Sequence, residues 1–169
     1  MPMIDDDQLR ELLPRLRRFA LGLTRDPHAA DDLVQSCMER ALSRWHGRRA
    51  SGDLQAWLFS ILYRKFLDGR RRHALFGRWL AAADEQPGTA PSAEDTLLAR
   101  SALAALGQLS ADQRAVLLLV AVEGLSYQQV ADTLGLPIGT VMSRLSRARQ
   151  ALRTIHDGKT SRPSLRIAR

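Results

Sequence analysis

From Leu9 to Leu152 the apolar residues recur with a helical period, and no run alternates like a half-buried strand. This regularity restricts the chain to an all-α fold. The stripes are short and bounded by residues that start or stop helices, which predicts several packed helices rather than one long rod. The first stripe is Leu9, Leu12, Leu13, Leu16, Phe19, Ala20 and Leu23. It follows Asp5, Asp6 and Asp7, whose carboxylates suit a helix N-terminus. Pro14 falls inside it and predicts a kink or a late start. Asp26-Pro27 reads as an N-cap with proline in the first helical position. The second stripe follows: Ala30, Leu33, Val34, Cys37, Met38, Ala41, Leu42 and Trp45. Residues 46–52 read as a loop. Asp53 then caps a third helix to about residue 71, with Leu54, Trp57, Leu58, Ile61, Leu62 and Phe66 inside, and residues 73–83 suggest a short further helix.

A composition break divides the chain. Residues 84–92, Asp-Glu-Gln-Pro-Gly-Thr-Ala-Pro-Ser, are turn and linker chemistry. Two small helical domains joined by a flexible acidic linker are therefore expected: residues 1–75, a linker over 76–95, a second domain over 96–156, and a basic, breaker-rich tail over 157–169 read as disordered. Charge follows the same division. Residues 1–72 carry 14 basic and 10 acidic groups, residues 73–99 one and four, and residues 100–169 ten and four. The net values are +4, −3 and +6, which make up the chain's +7. Such a surplus favours a polyanionic partner.

The second domain carries the clearest local signals. Ser110-Ala111-Asp112-Gln113 is a capping-box pattern ahead of the apolar run 115–122. Ser126-Tyr127-Gln128-Gln129 is a second box, opening a short helix to Leu134. Gly135-Leu136-Pro137 ends that helix and begins another, over residues 138–155. Short helix, glycine turn, longer helix is helix-turn-helix geometry, whose second helix can enter the major groove of DNA. At 100° per residue Ile138, Val141, Leu145, Ala148 and Leu152 share an arc of about 80°. The other face shows Thr140, Ser143, Arg144, Ser146, Arg147 and Gln150, with Arg149 and Arg153 at its border and no acid. Arginine can bond guanine bidentately, and small hydroxyls reach phosphates.

Chemistry of other kinds finds no footing. His28, His46, His73 and His156 are scattered without metal spacing, and no glycine-rich phosphate loop occurs. Neither cofactor nor metal is expected, and the chain is not expected to be an enzyme. The single Cys37 excludes a disulfide framework and lies on an apolar stripe, where a buried, reduced thiol is expected. No apolar run approaches the ~18 residues of a membrane span, and no signal peptide opens the chain, so a cytoplasmic location is expected.

In the first domain aromatics interleave with arginines between Trp45 and Trp79, a pattern suited to stacking and charge on single-stranded DNA. Ser60, Arg64, Leu67 and Arg71 line up along the third helix, whereas Trp57 sits on the apolar stripe. With Asp31-Asp32-Leu33-Val34-Gln35, Trp57-Leu58-Phe59-Ser60-Ile61, Asp68-Gly69-Arg70-Arg71-Arg72, Leu109-Ser110-Ala111-Asp112-Gln113-Arg114, Glu123-Gly124-Leu125-Ser126-Tyr127 and the 139–149 segment in this order, the chain resembles the extracytoplasmic-function (ECF) sigma factors of bacterial RNA polymerase. The resemblance implies sigma domain 2 followed by sigma domain 4, with no domain 3. It implies that Asp31, Asp32, Gln35 and Glu39 dock on the β′ clamp helices of core polymerase, carboxylates and an amide accepting from basic groups. Arg48, Arg49, Ser51 and Gly52 of the loop, with Ser60, Arg64 and Arg71, would read the −10 element, holding a base taken out of the stack. Arg64 stands where the family often has asparagine, which changes the expected −10 preference. Domain 4 would read the −35 element and touch the β-flap, and an anti-sigma factor would control release. Two rival readings use the same residues: a stand-alone dimeric helix-turn-helix regulator, and an anti-sigma-binding decoy that does not initiate.

Overall fold

The computed structural model describes residues 6–47, 53–77 and 104–160. Among these, the helices are α1 (Asp6–Thr24), α2 (Pro27–Ser43), α3 (Leu54–Gly77), α4 (Ala111–Ala121), α5 (Tyr127–Leu134) and α6 (Ile138–Thr160). A 3-10 turn, Trp45–Gly47, follows α2, and residues 104–107 are helical ahead of α4. No strand occurs among the described residues. Residues 76 and 77 of the expected linker belong to α3; the rest of it, the −10 loop at residues 48–52 and the last nine residues lie outside the described residues.

Local signals start most of these helices. Asp26 Oδ1 accepts from the backbone N–H groups of His28 and Ala29 at 2.7 and 3.1 Å, capping α2. Asp53 Oδ1 accepts from Gln55 N at 2.9 Å at the head of α3. Ser110 with Gln113 and Ser126 with Gln129 form complete reciprocal boxes. Pro14 lies inside α1 without delaying its start, because Leu12, Leu16, Phe19, Ala20 and Leu23 bury the helix on both sides of it. Arg25 ends α1 in the left-handed region at φ 61°, a conformation that favours glycine.

α3 runs unbroken to Gly77, absorbing the first residues of the separate helix expected from residue 73; no proline intervenes to stop it. α6 runs to Thr160, beyond the expected end at residue 155, since the first proline after it is Pro163. Leu42 and Ile138, counted in apolar stripes, are 52% and 44% exposed, each at the end of its helix.

In the first lobe α1, α2 and α3 pack around Phe19 and Phe59, whose rings meet edge-on at 5.1 Å, with Leu16, Leu23, Leu58, Leu62 and Cys37 about them. In the second, α4, α5 and α6 enclose Val116, Leu119, Val130, Val141, Leu145 and Ala148. The two cores are continuous. α1 packs on α4 and α3 packs on α5. Residues 114–119 of α4 are all buried, so this helix is covered on every side, as an apolar run without a polar face requires. Gly22 allows the approach on one side: a Cβ there would run into the Leu118 side chain.

Candidate nucleic-acid interface

The helix-turn-helix is built by its turn. α5 ends at Gly135, left-handed at φ 67°, whose N–H donates back to the Ala131 carbonyl. Leu136 N also donates to Ala131 O, at 2.9 Å, and the Pro137 carbonyl accepts from Thr140 and Val141 at the start of α6. Val141, Leu145 and Ala148 fix the inner face of α6, each at most 2% exposed. Ser143, Ser146, Arg147, Arg149 and Gln150 are exposed outside it, and Thr140 is half-buried. The face arithmetic therefore holds for the interior of the helix. Arg144 is held back: its guanidinium lies 3.4 Å from Asp112 Oδ2 and only 26% of its side chain is exposed. Asp112 Oδ1 also accepts from the Tyr63 hydroxyl at 3.3 Å, so this polar trio joins α6 and α4 to α3. Burial first, and then the Asp112 carboxylate, push the Tyr63 hydroxyl up to about 12.

In the first lobe Asp31, Asp32, Gln35 and Glu39 are all exposed on α2. Arg17 bonds Asp31 at 2.6 and 3.3 Å, and this hydrogen bond holds the carboxyl below its ordinary range. Gln35 Nε2 donates to Glu39 Oε1 at 3.1 Å. Asp32 borders a cleft with Lys65, Arg72 and His73 from α3. Arg64 and Arg71 are exposed, while Ser60 is half-buried and donates to Trp57 O at 2.7 Å. Trp57 is half-buried against Trp45, with ring centroids 6.1 Å apart. Ser60 and Arg64 share a second cleft with Asp53 and Trp57, and its opposite wall is Gln129, Asp132 and Thr133 of α5. Arg48, Arg49, Ser51 and Gly52 lie outside the described residues.

Sequence reasoning missed a group at the lobe junction. Glu123, whose side chain is 1% exposed, receives Arg15 Nε at 2.7 Å on one carboxylate oxygen and Arg18 NH2 at 3.1 Å on the other. Arg15 also donates to the Glu123 carbonyl at 3.1 Å and to Gln55 Oε1 at 3.0 Å. Nearby, buried Arg114 donates to the carbonyls of Leu106, Leu109 and, across the junction, Leu23 at the end of α1. Burial holds its pKa below the ordinary arginine value, with Arg25 and Arg70 acting in the same direction. The available signal was Glu123 itself, an acid placed directly after the apolar run 115–122.

Residues 9–63 match the family model "Sigma2 domain of PhyR", and residues 99–152 match "Sigma-70, region 4". The ECF RNA polymerase sigma factor EcfG of Rhodopseudomonas palustris is 36% identical over 159 residues, covering 90% of this chain and 86% of its own. The chain belongs to the ECF sigma factors. SigL of Mycobacterium tuberculosis, another member, is 40% identical over 149 residues, 82% of this chain and 80% of its own. The sigma factor RpoE of Bartonella quintana, solved in complex with the anti-sigma factor NepR, superposes with a TM-score of 0.80 at 34% identity, covering 93% of this chain and 98% of that one. As a sigma factor, the chain serves RNA polymerase in transcription initiation. Among the described residues, no helix is long and apolar enough to cross a membrane, and no cluster of three or more histidine, cysteine, aspartate or glutamate residues could hold a metal ion.

Proposed function

We propose that this sigma factor divides promoter recognition between its two lobes. α6 reads the −35 element through Thr140, Ser143, Arg144, Ser146, Arg147 and Gln150. The first lobe reads the −10 element through Arg48, Arg49, Ser51 and Gly52 of the loop with Ser60, Arg64 and Arg71 of α3. Asp31, Asp32, Gln35 and Glu39 dock on the β′ clamp helices, and the second lobe also meets the β-flap. An anti-sigma factor controls its release, in keeping with the RpoE–NepR complex. The chain supplies recognition and polymerase supplies the chemistry.

The observation that carries this reading is the outer face of α6 over residues 138–155, which holds no acid, set on a helix-turn-helix fixed by Ser126, Gly135 and Pro137. The test is reconstitution with core polymerase on a random-sequence promoter library. Stable holoenzyme and selection of a two-element promoter are expected. Arg147→Ala is expected to weaken −35 discrimination by about 1–3 kcal/mol while leaving core binding intact. Asp32→Ala with Gln35→Ala is expected to do the reverse. Promoter binding by the chain alone as a dimer would favour the stand-alone regulator. Core binding without any transcript would favour the decoy.

A further inference from the structure

Two large apolar side chains of α6 face water, although Val141, Leu145 and Ala148 already fill its inner side. Among the described residues the exposed large apolar side chains are Leu42, Leu75, Val122, Ile138 and Met142. Leu42 and Leu75 belong to α2 and α3, and Val122 closes α4. Single exposed apolar residues of that kind are ordinary. Ile138 and Met142 differ, because they stand four residues apart at the start of one helix and are neighbours on its surface. They are 44% and 52% exposed. Neither belongs to the polar set assigned above to the −35 element.

Their surroundings indicate what they meet. At 100° per residue Ile138, Met142, Arg149 and Arg153 fall within an arc of about 60°, an edge between the buried stripe and the polar face. Ser146, Arg149, Gln150 and Arg153 line a cleft of about 440 Å³ with Tyr127 of α5. Met142 is the lining residue nearest the start of α6, and no carboxylate lines the cleft. Such a cleft draws a phosphate strand. A recognition helix in the major groove turns its N-terminal residues towards the base edges. Met142 lies seven residues nearer that end than Arg149, about 10 Å along the axis. The charged part of the edge therefore suits the backbone, and its apolar part suits the bases. Base edges in that groove offer hydrogen-bond donors and acceptors, and one apolar group, the 5-methyl of thymine. The unbranched, polarizable side chain of methionine adapts to such a group, and β-branched Ile138 backs it with a stiffer one.

We propose that Ile138 and Met142 form a thymine-methyl reader, which selects an A·T pair in the −35 element by apolar contact. The inference rests on the −35 assignment made above. It adds a base preference that the arginines of α6 lack, since arginine favours guanine.

The test uses holoenzyme, the full chain with core polymerase, on the promoter it selects from a random-sequence library. Each thymine of the −35 element, on either strand, is replaced in turn by deoxyuridine. This deletes the methyl and keeps every hydrogen-bonding group. At least one position is expected to lose about fourfold in affinity, the worth of one buried methyl-sized group. Met142→Gln keeps a long, unbranched side chain of similar helix propensity. It is expected to bring the thymine-to-deoxyuridine ratio at that position to about one, and Ile138→Ala is expected to lower the ratio. Arg147→Ala is expected to leave it at about four. The ratio compares two DNAs on one protein, so a general loss of affinity does not imitate the effect. Deoxyuridine tolerated at every position, a selected −35 element without an A·T pair, or a fourfold ratio that survives Met142→Gln each overturns the reader. A Met142→Gln chain that loses core polymerase and keeps the ratio makes the strip a protein-docking edge and overturns it too. A wild-type chain that discriminates at −35 through Arg147 but ignores deoxyuridine sinks the reader alone. A holoenzyme with no −35 preference sinks the −35 assignment, and the reader with it.

Discussion

Cys37 and Tyr63 hold their protons for the same reason. Each is enclosed, Cys37 at 0% exposure and Tyr63 at 4%, and a buried anion lacks the hydration that it has in the unfolded chain. Burial pushes the Cys37 thiol from 9.0 to about 12, its Sγ lying 3.5 Å from the Leu58 carbonyl, and pushes the Tyr63 hydroxyl from 10.0 to about 12. Both folded values lie above the unfolded ones. The protonated groups therefore give their full stability below about pH 9 for the thiol and pH 10 for the phenol, and lose it as pH rises towards 12. Urea midpoints are expected to be flat up to about pH 9 and to fall steeply above it. Cys37→Ala with Tyr63→Phe is expected to flatten that fall, whatever the pair costs at neutral pH. Iodoacetamide is expected to leave Cys37 unmodified in the native chain at about pH 8 and to label it in urea, since the thiolate is the nucleophile. Rapid native labelling would contradict the enclosure.

Two glycines of the helix-turn-helix show how an element sets the sign of one substitution. Gly135 is left-handed at the end of α5, with open space around it, so backbone strain alone governs Gly135→Ala, which is expected to cost about 1–2 kcal/mol. Gly139 lies in the first turn of α6, where an added methyl would meet open space and the φ is not positive, so Gly139→Ala is expected to stabilise by about 0.5–1 kcal/mol. Urea unfolding of the two variants reads the opposite signs directly. Ser126→Ala, which removes the acceptor for Gln129 N, is expected to cost about 1 kcal/mol. These features were legible in the sequence because caps and turns are local: Asp26-Pro27, the two boxes and Gly135 act on residues within four positions. The polar face of α6 was legible through its period. The tie from Arg144 to Asp112 was not, nor was the clasp on Glu123. Arg15 and Glu123 are 108 positions apart, and no periodicity or motif pairs residues across that distance. The end of α3 was misjudged because a charged stretch looked like a boundary, and the helix continues through it.

For the molecule as a whole, size decides how independent the lobes can be. A domain of about 60 residues buries only about 60% of the surface of its unfolded chain and is marginal by itself. The described part of the second lobe, residues 104–160, is of that size, and its central α4 has no solvent face of its own. Part of the cover for α4 comes from α1, through the Gly22–Leu118 approach and the Arg114 bond to Leu23 O. The second lobe thus takes stability from the first, and melting one exposes apolar surface of the other. The full chain is therefore expected to unfold in a single calorimetric transition, with calorimetric and van't Hoff enthalpies in agreement. Glu123→Gln leaves both local cores intact but removes the carboxylate that joins them. It is expected to broaden the transition or split it, with the second lobe melting first. Gly22→Val is expected to act alike, although it touches no charged group, because it attacks the same contact by volume. Two separate transitions in the unmodified chain would instead mean that each lobe holds its own fold, and that the continuous core contributes little coupling between them.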